Sequence, residues 1–236
     1  MAPAKPIPSP GTTPKGHPPF LMLTILYEDE HLLAVDKPAG QLVHATKTST
    51  PEDEITMKIA RDQTGHRLHT PHRLDRPTSG VLLMAKTDVS AKGVREAFDN
   101  RRVQKVYTAV VFGCPNWKQT TCTVALEKTP QSPPLPSRTD FTLVKCSERF
   151  SLINARPETG RYHQIRRHLV ALGHGIVGDY RYSNIDYCDR AAEELGTGTR
   201  MLLQASSLTL NHPVTGHTLT ISAPQDPALA QAVKAF

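Results

Sequence analysis

The stretch His72-Arg73-Leu74-Asp75-Arg76-Pro77-Thr78-Ser79-Gly80 runs directly into the apolar segment Val81-Leu82-Leu83-Met84-Ala85. Pro77 fixes its own φ angle and restricts Arg76, whereas Gly80 can adopt backbone angles that are closed to other residues. The pattern therefore predicts a rigid polar loop that holds Asp75 at the start of a buried strand. Loops of this kind often carry the chemistry of a protein, although most aspartates in turns only accept backbone hydrogen bonds.

A second polar stretch, residues 160–169, has the spacing of a helix of about ten residues that begins at His163 and ends at Gly173. One face is apolar and is predicted to be buried; it holds Ile165, Leu169 and Leu172. The opposite face holds His163, Arg166 and Arg167 and could line a cleft or only contact solvent, the commoner outcome for a basic face. Periodicity does not choose between the two arginines.

Together with Lys105-Val106-Tyr107, these stretches resemble the signature motifs of the RluA-type family of RNA pseudouridine synthases. Residues 72–80 match the family's His-Arg-Leu-Asp motif and the Thr-Ser-Gly that follows it, and residues 161–168 match its Arg-x-His-Gln-Ile-Arg-x-His motif. Lys37-Pro38-Ala39-Gly40 and Gly178-Asp179 resemble two shorter motifs of the family. The likeness extends from about residue 24 to about residue 224, in the family's order.

The resemblance implies an α+β protein with the pseudouridine synthase fold, a mixed and mostly antiparallel sheet flanked by helices. It implies isomerisation of uridine to pseudouridine in structured RNA, a reaction that needs no cofactor and no metal. Asp75 matches the catalytic aspartate, and Arg166 matches the arginine that pairs with it, favours its ionised form and orients it. Tyr107 matches the tyrosine that stacks on the flipped uracil and could remove a proton from it.

The remaining candidate site residues are expected to bind the substrate. A uridine inside an RNA helix must leave the stack before the aspartate can reach it. In the family, the arginine that corresponds to Arg73 is thought to fill the vacated space, and nearby basic side chains are candidates for phosphate contacts. The predicted substrate-binding set is His72, Arg73, Arg76, Lys105, Arg161 and His163.

Composition is compatible with an RNA partner. The chain has 236 residues, a formal net charge of +6 and 38% hydrophobic residues, enough for one catalytic domain with a core. We expect a disordered proline-rich arm over residues 1–19 and a catalytic domain over residues 20–236, without the S4-type RNA-binding domain that many members of the family carry. No segment reads as a membrane span or a secretory signal, so we expect a cytoplasmic protein. We also expect it to be a monomer. The four scattered cysteines fit a reducing compartment.

Local patterns predict most of the secondary structure. Thr50 and Pro51 indicate the start of a helix at Pro51, and Thr87 or Asp88 can cap a second helix. Residues 121–126, 141–144 and 150–153 are predicted to form an antiparallel meander. The other predicted strands are residues 20–26, 32–35, 81–85, 106–112, 208–210 and 219–221.

Other interpretations remain at this level. His66, His69 and His72 could suggest a metal hydrolase, but Pro71 disfavours a continuous helix there. A non-catalytic RNA-binding module is a stronger rival. Within the family, the chain most resembles the C-type tRNA pseudouridine synthases, which modify a uridine of the T-stem region; large-subunit ribosomal RNA is the alternative substrate. Gln204 stands where many relatives have histidine, a departure that could alter a contact near the site.

Overall fold

A single large sheet organises the protein. The computed structural model describes residues 22–46, 49–129 and 131–236, and these residues form a nine-stranded sheet in the order β1-β2-β3-β10-β4-β9-β8-β5, with β11 paired to β10. All its ladders are antiparallel except that between β3 and β10. Its strands are β1 Thr24–Glu28, β2 Leu32–Lys37, β3 Ser79–Ala85, β4 Gln104–Phe112, β5 Gln119–Cys122, β8 Thr139–Cys146, β9 Phe150–Pro157, β10 Leu203–Asn211 and β11 Thr218–Ser222; a separate hairpin pairs β6 Leu126–Glu127 with β7 Pro134–Leu135.

Strand β3 lies at the centre of the core, and all seven of its residues are buried. Because successive side chains of a strand point to opposite faces, Leu82 and Met84 join one apolar cluster while Val81, Leu83 and Ala85 join another. The first cluster contains residues of helix α1 (Thr56–Thr64) and the second contains residues of helix α2 (Asp88–Asp99). The mixed, mostly antiparallel α+β fold expected from the sequence is confirmed.

Gly80 permits the parallel contact between β3 and β10. Its φ angle is +103°, and a Cβ atom placed there would lie 2.2 Å from the carbonyl oxygen of Ala205. The paired backbones therefore approach too closely for any side chain at this position. Since β3 begins at Ser79, four residues after Asp75, this close contact also fixes where the polar loop ends.

The second predicted helix is confirmed, but the first starts later than predicted. Thr87 caps α2 by accepting a hydrogen bond from the Ser90 backbone N–H at 3.1 Å. Helix α1 begins at Thr56 rather than Pro51. The reason is that Thr50 and Asp53 close a turn on each other: the Thr50 N–H donates to Asp53 Oδ2 at 2.8 Å, and the Asp53 N–H donates to the Thr50 carbonyl at 3.1 Å.

The predicted meander is formed by β5, β8 and β9, which are antiparallel neighbours, and β4 then pairs with β9. The single strand predicted over residues 121–126 is wrong, because β5 ends at Cys122 and β6 begins at Leu126. Cys114 and Cys146 are joined by a disulfide, a pairing that the sequence did not indicate. The predicted arm over residues 1–19 and the first residues of the 20–26 strand lie outside the described residues.

Three further helices complete the described chain: α3 Gln164–Ala171, α4 Ile185–Leu195 and α5 Pro227–Val233. Helix α3 is the one predicted near His163; that residue is its N-cap, and Gly173 follows its end with a left-handed φ of 83°. Ile165 and Leu169 of α3 are buried as predicted. Within the described ranges, none of the helices is long and apolar enough to cross a lipid bilayer.

Candidate active site

Asp75 lies in a short turn at the entrance to β3. The turn is closed by the Thr78 N–H, which donates to the Asp75 carbonyl at 3.0 Å, and Leu74 is buried in the cluster under α1. The Asp75 side chain keeps 25% of its surface exposed. The backbone is therefore anchored on both sides while the carboxylate stays accessible from solvent.

Arg166 connects Asp75 to a second carboxylate. Its Nε and Nη2 atoms each donate to Asp179 at 2.7 Å, and its Nη1 atom donates to Asp75 Oδ2 at 3.3 Å. Burial alone would lower the pKa of Arg166, but hydrogen bonds and charge from Asp179 and Asp75 outweigh it and raise the pKa. Helical spacing leaves open whether the face that holds Arg166 lines a cleft or only contacts solvent; only 5% of the residue is exposed, so Arg166 is buried. The ion pair with Asp179 is what makes its burial possible.

The structure thus distinguishes the two neighbouring arginines, which helical periodicity could not. Arg167 turns away from Asp75 and forms an ion pair with Glu127 of β6. Arg166 is the one that contacts Asp75, as the family motif indicated.

Tyr107 lies on β4, where it pairs with Ala205 of β10 on one side and Ala155 of β9 on the other. It is half-buried and packs against the apolar clusters under α1 and α3. Burial, and then the negative charge of Asp75, raise its pKa well above the usual value of a phenol. Its hydroxyl group has no hydrogen-bond partner within the part of the chain that the structure describes. The phenol therefore stays protonated near neutral pH and is free to contact a substrate.

His163 approaches Asp75 from the start of α3. Its Nε2 atom lies 3.8 Å from Asp75 Oδ2, and its Nδ1 atom lies 2.9 Å from the Tyr182 hydroxyl. The imidazole is also stacked on Tyr162 with a distance of 3.7 Å between ring centroids. Arg166 and His163 therefore both lie close to Asp75, and the charge of Asp75 also acts on Tyr107.

The other predicted substrate-binding residues have different surroundings. The His72 ring stacks on Phe98 at 4.8 Å and its Nε2 atom accepts the Leu83 N–H at 2.9 Å. Burial and the charge of Lys105 lower the pKa of His72 to about 3, so the ring is neutral. Lys105 itself donates to the Thr159 carbonyl at 3.3 Å, and burial lowers its pKa to about 8. A substrate contact by either residue stays a prediction.

The three remaining candidates are arginines at the edge of the site. Arg73 is exposed and has no ion-pair or hydrogen-bond partner among the residues that the structure describes. Arg76 donates to the Gly40 carbonyl at 2.8 Å and pairs with Asp53 at 2.9 Å. Arg161 reaches the Pro136 carbonyl at 3.2 Å through Nη2. Arg73 is thus the one of the three whose guanidinium is not already held by the protein.

Sequence reasoning missed two functional supports, although both lie in motifs that it had noted. Asp179 belongs to the Gly-Asp pair and is buried against Arg166. Lys37, in the Lys-Pro-x-Gly turn, is fully buried and donates from Nζ to the carbonyls of Pro38 at 2.7 Å, Gln41 at 2.9 Å and Arg76 at 3.2 Å. It therefore ties that turn to the loop of Asp75. Burial, and next the charge of Arg200, lower the pKa of Lys37 to about 7.

Gln204, where many relatives have histidine, connects the start of β10 to the segment before α5 through two hydrogen bonds. Its Nε2 atom donates to the Pro224 carbonyl at 2.6 Å, and its Oε1 atom accepts the Asp226 N–H at 3.1 Å. The side chain is buried, so its role here is to hold the backbone.

The three histidines that suggested a metal site do not converge. His66 lies 3.6 Å from Glu28, His69 lies 3.2 Å from Asp88, and His72 is stacked on Phe98. Across the described ranges, the structure groups no set of three histidine, cysteine or acidic side chains that could hold a metal ion.

Comparison with known proteins identifies the class to which this fold and site belong. The model of the family described as RNA pseudouridylate synthase matches residues 31–171. Two relatives, both named tRNA pseudouridine synthase C, come from Yersinia pestis (39% identical over 225 residues, 87% of each chain) and Pectobacterium carotovorum subsp. carotovorum (38% identical over 225 residues). The second alignment covers 87% of this chain but only 60% of the relative's length.

Solved structures agree with this result. Human RNA Pseudouridylate Synthase Domain Containing 1 superposes with a TM-score of 0.72 at 26% identity, over 94% of this chain and 89% of the other. Human RNA Pseudouridylate Synthase Domain Containing 4 gives a TM-score of 0.73 at 23% identity, over 90% of this chain and 92% of the other, which supports the fold. This chain belongs to the RNA pseudouridylate synthase family, and the resemblance noted in its sequence is confirmed.

Proposed function

We propose that this chain isomerises a uridine of tRNA to pseudouridine, with Asp75, Arg166 and Tyr107 as its catalytic residues. One observation carries the assignment of residues: Arg166, held by Asp179 through two nitrogens, extends its third nitrogen to Asp75. A guanidinium fixed in this way holds the carboxylate in one orientation. The tRNA substrate is supported by the relatives named tRNA pseudouridine synthase C.

In this reaction the bond between N1 of uracil and C1′ of ribose breaks, the base turns, and C5 bonds to C1′. C5 then loses its proton, N1 carries one in the product, and no oxidant or second substrate is consumed. Asp75 assists at the sugar or at the base, and both routes require its carboxylate. Tyr107 stacks on the uracil; because its pKa is raised, it could accept the C5 proton only after losing its own.

The uridine must leave its RNA helix to reach Asp75. Arg73 is exposed at the edge of the site and without a protein partner among the described residues, so we assign it to the space that the base vacates. Arg76, Lys105 and Arg161 are proposed to contact phosphates. We further propose that the target lies in the T-stem region, and that residues 20–236 act as one catalytic domain in a cytoplasmic monomer, since a single chain supplies all three catalytic side chains.

The test is release of tritium from tRNA transcripts that carry uridine labelled at C5. We expect release by the wild-type protein and at least about a thousandfold slower release by Asp75→Asn, which keeps the shape but removes the charge. Asp140→Asn, which changes an exposed carboxylate, is the matched control and should retain activity. A transcript with cytidine at the T-stem target should release no tritium above background. Faster release from ribosomal RNA fragments than from any tRNA would contradict the proposed substrate.

A further inference from the structure

The two oxygens of the Asp75 carboxylate have unequal surroundings. Arg166 Nη1 lies 3.3 Å from Oδ2, and His163 Nε2 lies 3.8 Å from the same atom. Within the described chain, the hydrogen bond from Arg166 goes to Oδ2, and Oδ1 accepts none. The protein therefore holds one oxygen from two sides and leaves the other open.

His163 is held in place by its backbone and by two tyrosines. It occupies the N-cap of α3 with φ 51° and ψ 36°, a left-handed conformation that is uncommon for residues other than glycine. Its ring is stacked on Tyr162, with 21° between the planes, and meets Tyr182 nearly edge-on at 83°. Uncommon backbone conformations of this kind persist where the surrounding structure fixes them, often at functional sites.

The Nε2 atom of His163 faces Asp75, and the surroundings of the ring favour the tautomer that carries its proton there. Burial lowers the pKa of His163 to about 4; the positive charges of Arg166 and Arg181 act in the same direction, while Asp75 and Asp179 oppose them. The imidazole is thus neutral near pH 7 and carries one N–H. If Nδ1 accepts from the Tyr182 hydroxyl, the N–H is on Nε2 and points to the carboxylate. The other tautomer would set a lone pair against a negative charge.

We propose that His163, oriented by Tyr182, is a positioning residue that acts with Arg166 on Oδ2 of Asp75 and leaves Oδ1 as the oxygen that reacts with the substrate. The inference rests on the proposed function and replaces the expectation that His163 contacts RNA. At 3.8 Å the interaction is electrostatic, and catalytic contacts of this kind often shorten when the substrate is bound.

Three variants separate the donor from the ring. His163→Gln can place an amide N–H near the position of Nε2, His163→Phe keeps the stacked ring but has no donor, and Tyr182→Phe removes only the hydroxyl. With labelled tRNA, we expect kcat to fall about 100-fold in His163→Phe, about 10-fold in Tyr182→Phe and less than about 5-fold in His163→Gln. The Kd for tRNA, measured by filter binding, should change less than about twofold in all three.

Two outcomes would overturn the inference while leaving the proposed function intact. One is a higher Kd with unchanged kcat in His163→Phe, which would make His163 an RNA contact. The other is an equal loss of kcat in His163→Gln and His163→Phe together with an unaffected Tyr182→Phe, which would show that the ring and not the donor matters. An inactive wild-type protein would instead refute the proposed function itself. Tyr182→Phe leaves the packing of His163 unchanged, so the test does not depend on the folding of the His163 variants.

Discussion

Replacement of Asp179 by asparagine tests the support of the site most directly. The Asp179 and Arg166 side chains are 1% and 6% exposed, and their two hydrogen bonds are both 2.7 Å long. Asp179→Asn keeps the size of the side chain and one acceptor oxygen but removes the negative charge. Arg166 would then remain buried with Asp75 alone as its counter-ion, at 3.3 Å.

The expected cost follows from burial. Removing one partner of a buried ion pair costs about 3–5 kcal/mol, and the remaining amide oxygen should keep this variant near the lower value. The matched control is Asp140→Asn, because the pair of Asp140 with Arg138 at 2.9 Å is 42% and 46% exposed. An exposed pair of this kind contributes less than about 1 kcal/mol. Urea unfolding followed by circular dichroism measures both free energies of unfolding.

The same variant should also slow the reaction. Without Asp179 the guanidinium is no longer fixed at two of its three nitrogens, so the direction of Nη1 toward Asp75 is lost. A displacement of about 1 Å in a catalytic group can reduce the rate about 100-fold, and we expect kcat for labelled tRNA to fall by 10- to 100-fold. If Asp179→Asn unfolds at the same urea concentration as Asp140→Asn and turns over tRNA at the wild-type rate, Asp179 does not support Arg166 in the way described.

Three further results are expected. Tyr107→Phe should lower kcat by a similar factor at every pH from 6 to 9, because the raised pKa keeps the phenol protonated throughout; a loss that appears only at the alkaline end would contradict this. The pKa of Lys37 is lowered to about 7 in the folded protein, so above that pH the unfolded chain binds more protons than the folded one. The free energy of unfolding of the wild type, relative to that of Lys37→Met, should therefore rise from about pH 7 to pH 10. Equal pH profiles of the two proteins in urea unfolding would refute this expectation. Gly80→Ala should lower the free energy of unfolding by more than about 3 kcal/mol, because its Cβ would lie 2.2 Å from the Ala205 carbonyl oxygen. Gly65 also has a left-handed backbone but lies in open space, so Gly65→Ala should cost only about 1–2 kcal/mol in the same urea assay. Similar costs for the two variants would show that the close contact with Ala205 does not determine the cost at Gly80.

Local patterns were enough to predict the elements whose stability is set by their own residues. The Thr87 cap depends on a hydroxyl and a backbone N–H three residues apart, so it could be read directly. The burial of residues 81–85 in β3 followed from their unbroken run of apolar side chains. The beginning of α1 was missed because Asp53, which resembles a first-turn acidic residue, closes a turn with Thr50 and pairs with Arg76.

For the candidate site, the sequence determined which residue types are available and, through the family motifs, which aspartate, tyrosine and arginine to examine. Helical spacing alone favours solvent contact over a cleft for the basic face of α3, but Arg166 on that face is buried. A buried guanidinium is stable only beside carboxylates, and the two that receive it lie 13 and 91 residues away along the chain. Spacing within one helix carries no information about such distant partners. The family motif singled out Arg166 in the sequence, but only the folded structure decided how Asp179 holds it and which oxygen of Asp75 it contacts.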